Sequence, residues 1–342
     1  MNPIITSLLL SSLALGTVLT MTSHHWLLAW VGLELNTLAI IPIIAKQHHP
    51  RGTEAATKYF LVQAAASATV LFASTINAWE TGTWDITQLA SQPASIMLTL
   101  ALTMKLGLAP LHLWLPEVLQ GSPLKTALII ATWQKLAPMA LLYLVQNALN
   151  PATLMTMGLL SAMLGGWGGL NQTQTRKIMA YSSIAHLGWM TVVMTLSTNI
   201  LLLNLVVYLL MTSATFLVLN VTASKTMKDL TTTWTISPMI STTMLILLMS
   251  LAGLPPLTGF VPKWLILQEL TTHNLTMMAT VLAISTLLSL FFYLRLSYMT
   301  TLTLSPTTAQ SKLKWRVLPK HKTTALSVTT TLSMLLLPTT PS

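Results

Sequence analysis

The 342 residues are 53% hydrophobic and only 7% charged, and the 17 Lys and Arg outnumber the Asp and Glu to give a net charge of +10. So few charges cannot cover a soluble domain of this size, which excludes a water-soluble enzyme or nucleic-acid-binding protein and predicts an all-α polytopic membrane protein. The chain has no cysteine, so disulfides, thiolate-held iron–sulfur clusters and zinc–thiolate sites are excluded too.

Apolar runs separated by short polar turns predict eleven transmembrane helices within a single membrane domain, 1–342. They fall at approximately 3–22, 26–45, 59–79, 95–118, 124–146, 151–171, 177–196, 199–222, 238–268, 275–298 and 323–338. The first run, Pro3 to Met21, lacks a basic leader region and leads straight into another span, so it is expected to be retained. Successive loops alternate sides of a membrane, which lets the basic residues test the assignment. Lys46, Arg51, Lys58, Lys125, Arg176, Lys177, Lys225, Lys228, Arg295, Lys312, Lys314, Arg316, Lys320 and Lys322, fourteen of the 17, fall on one side. The opposite loops hold Glu80 and Asp85 but no lysine or arginine. The basic side, with the N-terminus, is expected to face a bacterial cytoplasm or a mitochondrial matrix.

The three remaining basic residues, Lys105, Lys135 and Lys263, all lie inside spans, as does Glu34 in WVGLELNTL. Ionisable groups at that depth are costly and mark ion or substrate pathways. A buried ion pair that only fixes packing would explain one pair; four charges point to function. Lys135 precedes Pro138 in TWQKLAPMA, so a helix kink accompanies it. A lysine in such surroundings can load and release a proton when a neighbouring charge moves. Glu34 is the carboxylate placed to act on Lys105 or Lys135. His112 follows Lys105 by seven residues, two helical turns, and is expected to extend a relay along the same face. His186, in SSIAHLGW, is expected to join the relay rather than only to pack. His24, His25, His48 and His49 occupy loops and read as surface residues.

The stretch Gly107–Glu117, GLAPLHLWLPE, aligns with Gly253–Lys263, GLPPLTGFVPK, at five of eleven identical positions. These stretches interrupt spans four and nine, which cross in opposite directions. The chain therefore reads as two inverted five-helix repeats, 1–147 and 151–300, each with a discontinuous helix, followed by a basic loop and final helix at 301–342. Inverted repeats with broken helices are a transporter architecture, with sites at the breaks. Gly165–Gly169, GGWGG, predicts a close helix-packing surface, as does Ala64–Ala68. The basic loop Lys312–Lys322, with Trp315, suits lipid headgroups, a partner's acidic surface or a purely topological role.

WVGLELNTL, ATKYFLVQAAAS, TMKLGLAPLHLWLPEVLQG, WQKLAP, RKIMAYSSIAHLGW and SLAGLPPLTGFVPKW together resemble the antiporter-like membrane subunits of respiratory complex I, mitochondrial NADH:ubiquinone oxidoreductase, over essentially the whole chain. Eleven spans resemble the shortened animal form, which lacks three N-terminal helices of the bacterial one. The resemblance implies proton translocation driven by electrons transferred elsewhere in the complex, with no redox chemistry on this chain. It implies that Glu34 and Lys105 form a charge pair responsive to neighbouring subunits, that Lys135 is the central proton carrier, and that Lys263 lies on the exit route. His112 and His186 would belong to the connecting hydrophilic axis. It implies no cofactor on this chain, since NADH, FMN, iron–sulfur clusters and ubiquinone are used elsewhere. Partners would be other membrane subunits, including neighbouring antiporter-like chains, and lipids, in the mitochondrial inner membrane with basic loops in the matrix. A structural subunit that transmits electrostatic change without its own channel, and a stand-alone sodium/proton antiporter, remain alternatives.

Overall fold

In the computed structural model, residues 2–301 and 324–335 are described; the basic segment Lys312–Lys322 and the edges of the eleventh predicted span lie outside them. The helices are α1 Pro3–Thr22, α2 Trp26–Ile44, α3 Pro50–Thr81, α4 Gln92–Leu106, α5 Trp114–Gly121, α6 Leu124–Ala131, α7 Leu136–Val145, α8 Pro151–Gly169, α9 Thr175–Met194 and α10 Thr198–Thr222. They continue with the short α11 Met227–Thr231 and α12 Thr233–Ile236, then α13 Pro238–Ala252, α14 Phe260–Thr272, α15 Thr276–Thr301 and α16 Thr324–Leu335. No strand forms among the described residues, only isolated bridges. By length and composition six stretches can cross a membrane: α1, α2, α3, Leu124–Ala148, α10 and α15. Two compact units result, Met1–Leu164 with Ser183–Thr198, and Gly165–Ser182 with Asn199–Ser342.

In the first unit, small residues set how closely helices approach. A Cβ on Gly32 would stand 2.6 Å from Thr20 Cγ2, and one on Gly16 2.6 Å from Asn36 Oδ1, so α1 and α2 meet backbone to backbone. The 32-residue α3 buries Ala55, Ala56, Tyr59, Gln63, Ala66, Ser67, Val70, Ala73, Ser74 and Asn77 at helical spacing. Within Ala64–Ala68 the buried residues are Ala66 and Ser67; Ala65 and Ala68 point outward, so the packing stripe is narrower than the expected face.

The same helix shows how α4 and α5 are arranged. Near its end, Asn77 donates to Gln88 O at 2.7 Å and accepts from Ala90 N at 3.2 Å, just before α4 begins. At its start, Gly121 lies so close to Arg51 O that a Cβ there would stand at 2.6 Å. Hence α4 and α5 together run antiparallel along α3, one interrupted traverse beside a helix about 48 Å long. The α1–α2 and α3–α4 connections are joined by Trp26 N donating to Trp84 O at 3.1 Å and Ile86 N to His24 O at 3.0 Å.

In the second unit α15 packs against both α13 and α14. Gly166, Gly168 and Gly169 admit Leu288, Tyr181 and Phe292 against the backbone, so GGWGG is the packing surface its composition predicts. Arg295 on α15 donates to the carbonyls of Leu170, at 2.6 Å, and Gln172. The segment it grips is bridged to the α10–α11 connection through Met227 N to Thr173 O at 3.1 Å and Thr175 N to Lys225 O at 3.2 Å.

Candidate functional site

A helix end leaves its last four carbonyls without intrahelical donors, and inside a membrane each needs another partner. At the end of α4, Gly107 takes φ +77°, a left-handed conformation that glycine adopts without steric cost. Its amide donates to Thr103 O and Met104 O, and Leu108 N also donates to Thr103 O at 2.9 Å. The Trp114 indole N–H adds a bond to Met104 O at 3.1 Å. Gln63, from α3, donates to Lys105 O at 3.4 Å. The ammonium of Lys135 donates to Leu106 O. All four carbonyls are met, those of Lys105 and Leu106 by side chains alone. The chain then passes a cis Ala109–Pro110 bond before α5.

Lys135 reaches this position because its own helix is interrupted. Pro138 has no amide to offer Gln134 O, and Trp133–Lys135 form a tighter turn between α6 and α7. Lys135 is 3% exposed, and its Nζ stands over the Trp114 ring, 5.6 Å from the centroid. Lys105 is 5% exposed, and its Nζ has no hydrogen-bond partner among the described residues. Both lysines line one cavity of about 10 Å³, space for the centre of roughly one water molecule. Asn36, Thr37, Tyr59, Gln63 and Gln134 share the wall.

Glu34 is half-buried at the edge of this group. Thr37 Oγ1 donates to its Oε2 at 2.8 Å, and its charge acts on Lys105 and Tyr59. It is not in ion contact: the described pairs within 4 Å are Lys58 with Glu54 and Glu117, and His273 with Glu269. Lys105 and Lys135 are therefore brought together in one cavity wall, with Glu34 outside that wall and acting on Lys105. His112 lies in the break, 9% exposed, with Nδ1 3.2 Å from Pro110 O. Because α4 ends at Leu106, the seven-residue spacing from Lys105 does not run along a continuous helix, and the expected shared face is absent. His186, buried on α9, is outside the cavity wall, as is His112.

Lys263 belongs to the second unit, at a second break of matching build. α13 ends at Ala252, Gly253 takes φ +81°, and a cis Pro255–Pro256 bond follows. Gly253 N donates to Ser250 O at 3.0 Å and Leu254 N to Met249 O at 3.3 Å. Lys263 Nζ donates to Ala252 O at 2.7 Å and Leu251 O at 3.4 Å. Once more a lysine ammonium closes the helix end.

Asn36, Tyr59, Gln63, Trp114 and Gln134 were not singled out from the sequence. Asn36, Gln63 and Gln134 carry a signal that could have found them: each is a polar amide inside an apolar run, costly at that depth for the same reason as a charge. Among the described residues no group of three or more His, Asp or Glu is placed to hold a metal ion.

Interrupted helices around buried lysines make this an antiporter-like scaffold, and known proteins of that class resemble it. The transmembrane family described as NADH:quinone oxidoreductase/Mrp antiporter matches residues 23–289, and the NADH dehydrogenase subunit 2 C-terminus matches 290–342. A chain of the Thermus thermophilus respiratory complex I with bound aureothin superposes with a TM-score of 0.86 at 29% identity, covering 98% of this chain and 78% of that one. A chain of the Mrp complex from Dietzia sp. gives a TM-score of 0.82 at 16% identity, covering 97% and 74%, and speaks to the fold alone. The NADH-ubiquinone oxidoreductase chain 2 of Varanus melinus is 58% identical over 342 residues, 100% of this chain and 99% of that one. The chain belongs to the NADH-ubiquinone oxidoreductase chain 2 family.

Proposed function

We propose that this chain is a core membrane subunit of the proton-pumping NADH:ubiquinone oxidoreductase, working beside other membrane subunits and coupling protons through Glu34, Lys105, Lys135 and Lys263, with His112 and His186 in support. The observation that carries this reading is the pair of buried lysines lining one cavity at the end of an interrupted helix, with Glu34 acting on the first of them. When Glu34 shifts relative to Lys105, the field at Lys135 changes and its proton is redistributed toward Lys263 and the exit side.

The scaffold for this is eleven spans in two inverted five-helix repeats, 1–147 and 151–300, with 301–342 appended. Three observations support it. The two breaks share a left-handed glycine and a capping lysine. Connections assigned to one side meet: 23–25 with 83–87, and 171–175 with 223–227. Lys58, assigned to the basic side, pairs with Glu117 at the end of the interrupted fourth traverse. The protein carries no cofactor of its own and sits in the mitochondrial inner membrane with its basic loops toward the matrix. Lys135→Ala in the assembled, reconstituted complex tests the reading: the proton-to-electron ratio falls. An unchanged ratio and turnover would sink it.

The size of the cavity favours one other reading, in which the charges transmit an electrostatic change along the membrane without conducting protons. Lys135→Ala would then lower turnover and leave the ratio intact.

A further inference from the structure

At the first break Trp114 contacts the last turn of α4, Lys135 and Tyr59. It opens α5 and is 7% exposed. Its indole N–H is bonded to the carbonyl of Met104, the residue before Lys105 in the last turn of α4. Its face lies beneath Lys135 Nζ. Its flank meets Tyr59 edge-on, with ring centroids 5.7 Å apart and planes at 67°. One turn further along α5, Glu117 pairs with Lys58 at 2.7 Å, so consecutive α3 residues, Lys58 and Tyr59, hold both ends of that turn. The titratable groups around the ammonium are Tyr59 from α3 and Lys105 from α4, with Glu34 from α2 acting on both. From α6, α7 and the turn between them, Lys135 alone among titratable groups reaches the cavity wall.

We propose that Trp114 is a positioning residue that couples the Glu34–Lys105 pair to Lys135. The inference rests on the reading of Lys135 as a proton carrier. A cation over an indole face is stabilised by the ring's quadrupole, and the effect depends on distance and angle. When the charge on Lys105 or Glu34 changes, the last turn of α4 adjusts and carries the Met104 carbonyl with it. The N–H···O bond drags the indole along, and the aromatic seat of Lys135 moves. A seated ring favours the charged ammonium; a displaced ring withdraws that support. No covalent bond changes, and the proton released remains on the Lys135 route.

The test uses the assembled complex in proteoliposomes, with turnover followed against pH and protons counted per electron pair. Trp114→Leu removes both ring and donor: the alkaline limb of the turnover curve moves down by about one pH unit, and the proton ratio falls. Trp114→Phe keeps a ring and loses the N–H: the limb returns toward that of the parent while the ratio stays low. In a Lys135→Ala background Trp114→Leu adds no further loss, because both act on one group. A parent-like curve and ratio for Trp114→Leu, beside a Lys135→Ala variant that fails to pump, overturns the coupling and leaves Lys135 its role. A Lys135→Ala variant that pumps normally overturns both. Should Trp114→Leu not assemble, Trp114→Phe decides alone, and a parent-like ratio overturns the proposal.

Discussion

The two interrupted helices reach the same end by different routes. In each, a glycine turns the chain left-handed, backbone amides meet the first two of the last four carbonyls, and an ammonium meets the last one. At the first break the ammonium comes from Lys135, 29 residues away in the chain; at the second it comes from Lys263, 11 residues away within the same interrupted helix. Aligned by sequence, Lys263 stands opposite Glu117. By the position of its ammonium it is the counterpart of Lys135. What recurs is a positive charge at the carbonyl end of a helix, where the macrodipole is negative, and not a lysine at a fixed place in a motif. The first break differs in having a second lysine on a shared cavity wall, with Glu34 acting on that lysine.

Removing the second ammonium strains this equivalence most. Lys263→Met leaves the Leu251 and Ala252 carbonyls without their charged donor, a loss of about 2–3 kcal/mol. The thermal midpoint of the complex should fall, and the proton ratio with it. A ratio equal to that of the parent would separate Lys263 from Lys135.

The glycines come next. Gly253→Ala forces a Cβ into left-handed backbone, 2.8 Å from Lys263 Nζ, so it adds a displaced cap to a backbone cost of about 1–2 kcal/mol. Gly107→Ala meets the Trp114 ring at 3.3 Å and Leu115 Cβ at 3.5 Å, and bears the backbone cost nearly alone. Midpoints of thermal inactivation should rank Gly253→Ala below Gly107→Ala; the reverse order would mean that the two caps are not built alike.

A smaller effect is expected for Gln63→Leu, which orphans Lys105 O. The bond is long, 3.4 Å, so its loss should be about 1 kcal/mol. Faster hydrogen exchange at the Gly107 and Leu108 amides would report the loosened turn.

Lys58→Met should do least. The hydrogen bond and charge of Lys58 hold the Glu54 carboxyl below its ordinary range, and Glu117, then Glu54, raise the lysine above its own. Glu54's contribution is present at neutral pH and is lost as pH falls through the carboxylate range, near 4; that of Lys58 persists until strongly alkaline pH. The small difference in midpoint between variant and parent should therefore shrink toward pH 4 and in high salt.

The breaks were legible because glycine and proline interrupt apolar runs at matched spacing, and Glu34, Lys105, Lys135 and Lys263 because a membrane makes every charge conspicuous. The partners were not. Gln63 reaches Lys105 O across 42 residues and Lys135 reaches Leu106 O across 29, and such meetings depend on how helices are rotated and tilted, which periodicity does not encode. The helical spacing of His112 from Lys105 misled because it was counted through a segment that is not helical. Trp114 resembled any other apolar residue until its N–H and its face were both seen to be engaged.

A lysine used as a helix cap has a redundancy that a carboxyl group lacks. As an ammonium it offers three hydrogens; as a neutral amine it still offers two. The carbonyl of Leu106 or of Ala252 can thus keep its donor whether or not the extra proton is present. An arginine in its place would never give up the charge, and an ionised carboxylate would have no hydrogen to donate. Bond and charge are separable at these two positions, so the protein can change its electrostatic state without dismantling its fold.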